Sequence, residues 1–171
     1  MSNSYLGVNT NPASVETALD GSHWSVEFWV KYASSPSGPQ GLFDYTNGAN
    51  GVFLELEPGG TFYWSVNPYS DSANIALSAG VWHQIVLLSD GSHFGLVLDD
   101  QLKVWDTIAV GPGSGGGNDV ELGHDTRGGA DFTGSFDEFA IYNQTLDCGT
   151  TIVGQSCTAT SQIGKHYLSA N

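Results

Sequence analysis

Trp24-Ser25-Val26-Glu27-Phe28-Trp29-Val30-Lys31 repeats with a period of two, which sets Val26, Phe28 and Val30 on one face and Glu27, Trp29 and Lys31 on the other. That spacing predicts a strand with one face in a core. The same alternation recurs downstream in Gly41 to Thr46, Gly51 to Glu57 and Thr61 to Asn67, separated by Asn47-Gly48, Asn50-Gly51 and Pro58-Gly59-Gly60. Those separators supply positive φ without steric penalty and so read as hairpin turns. Val81 to Leu88 reads as a central strand, and Asp90-Gly91-Ser92 turns it into His93 to Leu98. Asp99-Asp100-Gln101 then reverses the chain into Leu102 to Thr107. A Gly-rich loop precedes a short strand at Asp119 to Leu122, and Phe136 to Tyr142 is the last long strand. Ten or more short strands at this spacing predict an all-β chain, a two-sheet antiparallel sandwich forming one domain over residues 1–171. Helical periodicity is confined to the tail, where Ser161 to Leu168 is expected to form a short C-terminal helical turn packed through Ile163, Tyr167 and Leu168.

The 171 residues carry 18 Asp and Glu against 4 Lys and Arg, a formal net charge of -14. Phosphate binding draws on clustered Lys and Arg, so a nucleic-acid partner and docking on an anionic membrane are both disfavoured. No apolar run reaches the length of a membrane span, and Met1 to Leu6 lacks the basic start and apolar centre of an export signal. The expectation is either a signal already removed or another route to the surface, such as assembly into a virion. Cys148 and Cys157 stand nine apart in a Gly/Thr/Ser-rich segment. A disulfide in an oxidising compartment is the leading reading and a pair of reduced thiols the alternative.

Ser25 to Lys31, Trp82 to Leu87, Asp90-Gly91-Ser92, Leu96 to Gln101 and above all Phe132-Thr133-Gly134-Ser135-Phe136-Asp137-Glu138-Phe139-Ala140-Ile141-Tyr142-Asn143 follow one another in the order of a known signature. The chain resembles laminin G-like domains, members of the concanavalin A-like jelly rolls that include pentraxins and legume lectins. It departs from them in the Cys148 to Cys157 loop and in Asp99-Asp100, where Asp-Gly is usual. The resemblance implies a jelly roll and a structural Ca²⁺ held by Asp137, with oxygens from the Leu19-Asp20-Gly21 turn completing the shell. A hard cation suits such oxygen donors.

Glucanases of this fold use Glu-x-Asp-x-x-Glu on one strand, which is absent here, as are a Gly-x-Ser-x-Gly elbow and His-Glu-x-x-His. Glu55 and Glu57 share a face but read as a solvated surface. No catalytic residue is assigned. Glycan binding needs an aromatic platform with polar groups at its rim. Two segments offer them: Trp64, Tyr69 and Asp71 in and after the Thr61 to Asn67 strand, and Asp125 with Arg127 in the Gly123 to Asp131 loop that precedes the last long strand. The sequence therefore predicts a non-catalytic, extracellular or surface-displayed module that binds a glycan or a surface protein and is stabilised by calcium. The rival reading is a structural subunit, a virion decoration or a filament or surface-layer component, that self-associates or docks on a larger assembly.

Overall fold

The computed structural model describes residues 6–8, 13–47, 50–66, 69–73, 75–108, 120–124, 128 and 130–170. In chain order these form β1 (Leu6–Val8), α1 (Ala13–Leu19), β2 (His23–Tyr32), β3 (Gln40–Asn47), β4 (Asn50–Leu56), β5 (Phe62–Val66) and β6 (Tyr69–Ala73). They continue with β7 (His83–Asp90), β8 (His93–Leu98), β9 (Gln101–Thr107), β10 (Val120–Leu122), β11 (Ala130–Asp131), β12 (Gly134–Tyr142) and α2 (Gln162–Ala170). The larger sheet runs β1-β10-β3-β4-β5-β6, with β11 beside β3, and the smaller runs β12-β2-β7-β8-β9. Every pairing described is antiparallel except that of β11 with β3. The architecture is the predicted two-sheet jelly-roll sandwich with a C-terminal helix.

Alternation explains how the sheets meet. Val26, Phe28 and Val30 of β2, Ile85 and Leu87 of β7, and Phe94, Leu96 and Leu98 of β8 face Leu54, Leu56, Phe62, Trp64 and Val66 of the larger sheet in one buried cluster. Burying each such side chain contributes about 1.5–3 kcal/mol, so this cluster is the main stabilising term.

The second face of the smaller sheet departs from expectation. Glu27 and Trp29, which alternation sets opposite the core face, are only 5% and 7% exposed. The chain after β12 folds back over them. Val86, Leu88, Val97 and Leu102 pack there with Leu146, Cys148, Cys157 and Ile163 in a second apolar cluster. Tyr167 stacks on Trp29 at 5.9 Å between ring centroids. Leu168, expected to pack, is 59% exposed instead, because Ile163 and Tyr167 occupy the buried side of α2. The helix starts where the Ser161 hydroxyl accepts the Gly164 amide at 3.1 Å, an N-cap contact. Gly164 is required because a Cβ there would lie 2.2 Å from the Thr158 carbonyl oxygen.

The sulfurs of Cys148 and Cys157 are joined, which closes the loop that leads into α2. Replacing both by Ser is expected to lower stability by about 2.5 kcal/mol through the loop entropy returned to the unfolded chain. An unchanged urea midpoint in that double variant would refute the estimate.

Further elements escaped the sequence reading. α1 places Leu19, fully buried, and Ala18 against the sandwich. β1 pairs with β10 at the margin of the larger sheet. The stretch around Asp71, read as a loop, is the edge strand β6. Glu55, read as solvated, is 8% exposed.

Candidate functional site

β9 is the edge of the smaller sheet and β6 the edge of the larger, and the accessible recesses that combine aromatic and acidic walls beside them share one indole, that of Trp105. In register, Trp105 stands opposite Gly95 of β8. A Cβ on Gly95 would lie 3.0 Å from two indole ring atoms and 2.9 Å from a Leu88 methyl, so the missing side chain is what lets the indole lie across β8. His93, two residues earlier on that strand face, stacks on the indole with centroids 5.0 Å apart and planes at 16°. His93 is held in turn by Asp90, its Nδ1 lying 3.0 Å from Oδ2.

Asp90 is a firmly placed carboxylate. Its Oδ1 accepts the Ser92 and His93 amides at 2.8 and 2.7 Å. Burial pushes its pKa up, but those two amides and the His93 ring together outweigh burial and hold it below the usual carboxylate range. Facing it across a recess of about 470 Å³ is the segment Thr145 to Thr151, with Asp147 and the hydroxyl-bearing Thr150 and Thr151. This wall is rigid: Asp147 Oδ1 accepts the Gly149 amide at 2.7 Å, its own amide donates to Gln162 Oε1 at 3.0 Å, and Cys148 is cross-linked.

On its other side Trp105 borders a second recess, of about 330 Å³, between the two sheet edges. Asp71 of β6 and Asp106 of β9 both line it, with Lys103 beside them. Burial, then the nearby Asp71 charge, pushes the Asp106 pKa up. Inward-facing charges on edge strands also guard against unwanted strand pairing, which accounts for part of their presence. The two recesses adjoin at Trp105 and are termed the β9 groove, with the indole between them and carboxylates on both flanks. Both volumes fall within the ~300–1,000 Å³ typical of ligand sites.

The residues singled out from sequence fare unequally. Asp71 lies in this groove. Trp64 lines its floor but is only 2% exposed and stacks on Phe94 at 4.6 Å, so it is a core residue and not the stacking platform expected. The reason is alternation: Phe62, Trp64 and Val66 share the inward face of β5. Tyr69 is the first residue of β6, its backbone paired with Val66. Asp125 and Arg127 lie outside the described residues.

The calcium set is not assembled. Asp137 pairs in register with Trp29, well along β2, whereas Asp20 and Gly21 precede His23 at the start of that strand. Six residue steps along β2 from His23 to Trp29 put about 20 Å between those positions. Asp137 Oδ1 instead accepts the Glu138 amide at 2.9 Å, and Asp20 Oδ1 accepts the Tyr45 hydroxyl at 2.9 Å. Among the described residues no group of three or more His, Cys, Asp or Glu side chains is arranged to hold a metal ion. The predicted donors therefore do not fit one cation.

Sequence reasoning missed Trp105, Asp90, Asp106 and Asp147. A signal for Trp105 was present: a tryptophan opposite Val104 on an alternating strand, with a lone glycine inside the neighbouring strand.

A laminin G-type family model, described as the concanavalin A-like lectin/glucanases superfamily, matches residues 3–148. No curated protein gives a significant match. Among solved structures, domain 4 of AbnA, an extracellular arabinanase from Geobacillus stearothermophilus in complex with arabinotriose, is similar with a TM-score of 0.59 and 20% identity. That likeness covers 73% of this chain and 62% of that one. The binding domain of botulinum neurotoxin DC in complex with rat synaptotagmin II gives 0.68 at 11% identity, covering 98% and 40%. Botulinum neurotoxin type C, whose cell entry depends on two ganglioside molecules, gives 0.67 at 11%, covering 98% and 42%. The chain thus spans less than two thirds of each, and identities this low establish a shared fold.

Proposed function

The chain belongs to the concanavalin A-like lectin/glucanases superfamily, and from that premise we propose that it is a non-catalytic, extracellular module whose β9 groove binds a neutral oligosaccharide. The observation that carries this reading is the Trp105 indole bordering two recesses lined by Asp90 and Asp147 on one side and Asp71 and Asp106 on the other. An indole offers an apolar surface to sugar C–H groups, and carboxylates accept hydrogen bonds from hydroxyls. Four carboxylates on a chain of net charge -14 repel sialylated or sulfated sugars, which selects for neutral ones. Domain 4 of the arabinanase, in complex with arabinotriose, supports a sugar-binding use of this fold. The disulfide supports an extracellular setting, since such bonds persist in oxidising compartments.

The test is a panel of neutral arabino-, xylo- and gluco-oligosaccharides beside sialylated ones, read by titration calorimetry. Binding is expected in the neutral set alone. Trp105→Ala is expected to weaken it at least about tenfold, equivalent to about 1.4 kcal/mol. Gly95→Ala, which forces the indole off β8, is expected to weaken it comparably while near-UV circular dichroism reports an intact core. Wild-type affinity in Trp105→Ala, or no neutral sugar bound at all, would defeat the proposal.

A further inference from the structure

At the opposite edge of the smaller sheet lies a surface that the sugar groove does not use. Val81 and Trp82, just before β7, are 48% and 42% exposed, two large apolar side chains adjacent in sequence. Trp82 and the edge of Trp29 line a recess of about 290 Å³ with Asp137, Glu138 and Ala170. Strand alternation alone would send Asp137 and Glu138 to opposite faces. Here the register of β12 against β2 shifts between Asp137 and Ala140, and Glu138 takes a φ of 50°, a left-handed conformation costly for a residue with a side chain. The bulge brings both carboxylates to one recess. Ala170 is the last residue of α2, so the carbonyl-bearing, partially negative end of that helix borders the same recess. Among the described residues neither carboxylate has an ion-pair partner.

An exposed indole face, two carboxylates and a helix C-terminus all attract the same thing, a cation with an apolar stem. Nucleic acid and anionic membrane are opposed by this charge, and the helix C-terminus adds to the two carboxylates a preference for a cation that the sugar groove lacks. We propose that this surface docks a basic polypeptide segment, with a Lys or Arg side chain of the partner seated over Trp82 and against Asp137 and Glu138. Val81 supplies apolar contact beside that anchor. The site is independent of the β9 groove, which lies across three intervening strands of the same sheet.

The test uses the full chain and a short Arg/Gly peptide, with a Glu/Gly peptide and free arginine as controls, followed by tryptophan fluorescence and calorimetry at low salt. The Arg/Gly peptide is expected to bind, the Glu/Gly peptide not, and free arginine much more weakly. Trp82→Ala, which leaves the charge unchanged, is expected to weaken peptide binding about tenfold. Asp137→Asn combined with Glu138→Gln is expected to do at least as much, with neutral-sugar binding unaltered in both variants. Wild-type peptide affinity in Trp82→Ala would mean that diffuse negative charge alone holds the peptide and would overturn the proposal. So would the absence of peptide binding, or free arginine binding as tightly as the peptide.

Discussion

A chain cut after residue 148, with Cys148 replaced by Ser, is expected to lose its cooperative melting transition. The family match ends at that residue, so the cut removes only what lies beyond it. Yet the segment beyond supplies Cys157 and Ile163, which cover Val86, Leu88, Val97 and Leu102, and Tyr167, which covers Trp29. Full exposure of the four aliphatic side chains would cost about 6–12 kcal/mol at about 1.5–3 kcal/mol each; Leu146, Trp105 and Tyr142 stay in the cluster, so the loss is a part of that, still a large share of the stability of an ordinary domain. The truncated chain should bind a hydrophobic dye and show weak near-UV circular dichroism. A sharp transition within a few degrees of the intact protein would show that the tail is dispensable and that the second apolar cluster contributes little.

Glu27→Ala is expected to cost about 3 kcal/mol, because it leaves buried donors without their acceptor. Glu27 sits on the outward face of β2, 5% exposed. Its Oε1 accepts the Gln84 amide at 2.6 Å, and Oε2 accepts the Tyr142 hydroxyl at 3.2 Å and faces His166 Nδ1 at 2.8 Å. The carboxylate therefore ties β2 to β7, β12 and α2. For a chain of this size the melting temperature should fall by about 6–12 °C. A second readout separates this network from simple packing. Burial, then the Glu27 charge and hydrogen bond, pushes the Tyr142 pKa up to about 12. Removing the carboxylate should bring the tyrosine's spectrophotometric titration down toward its ordinary value near 10. An unmoved titration, or a melting temperature unchanged within error, would refute the role assigned to Glu27.

Both predictions concern the face that alternation sets opposite the core. From Val26-Glu27-Phe28-Trp29-Val30 it is legible that Val26, Phe28 and Val30 point one way, and they do form the core. What lies over the other face is not legible, because a period of two separates two sides without saying which segment, more than a hundred residues later, will return to cover one of them. The same limit explains the site. Asp71 is legible from its aromatic neighbourhood and lies in the groove, whereas the inward place of Trp64 is not legible, because both faces of β5 carry aromatic rings. Trp105 went unnoticed because its surroundings come from β8, the β7–β8 turn and the Thr145 to Thr151 segment, contacts set only by register and by the absent side chain at Gly95.

By itself the sequence determined the strand-and-turn grammar, the inward residues of the long strands, the acidic character and the helical tail, since each depends on neighbours a few residues away. Tertiary structure alone decided that Glu27 and Trp29 are covered, that Asp137 on β12 and Asp20 in the turn before β2 lie far apart, and that Trp105 and Trp82 border different acidic recesses. Those outcomes depend on which distant segments pack together, and packing is settled by the summed burial of the whole chain.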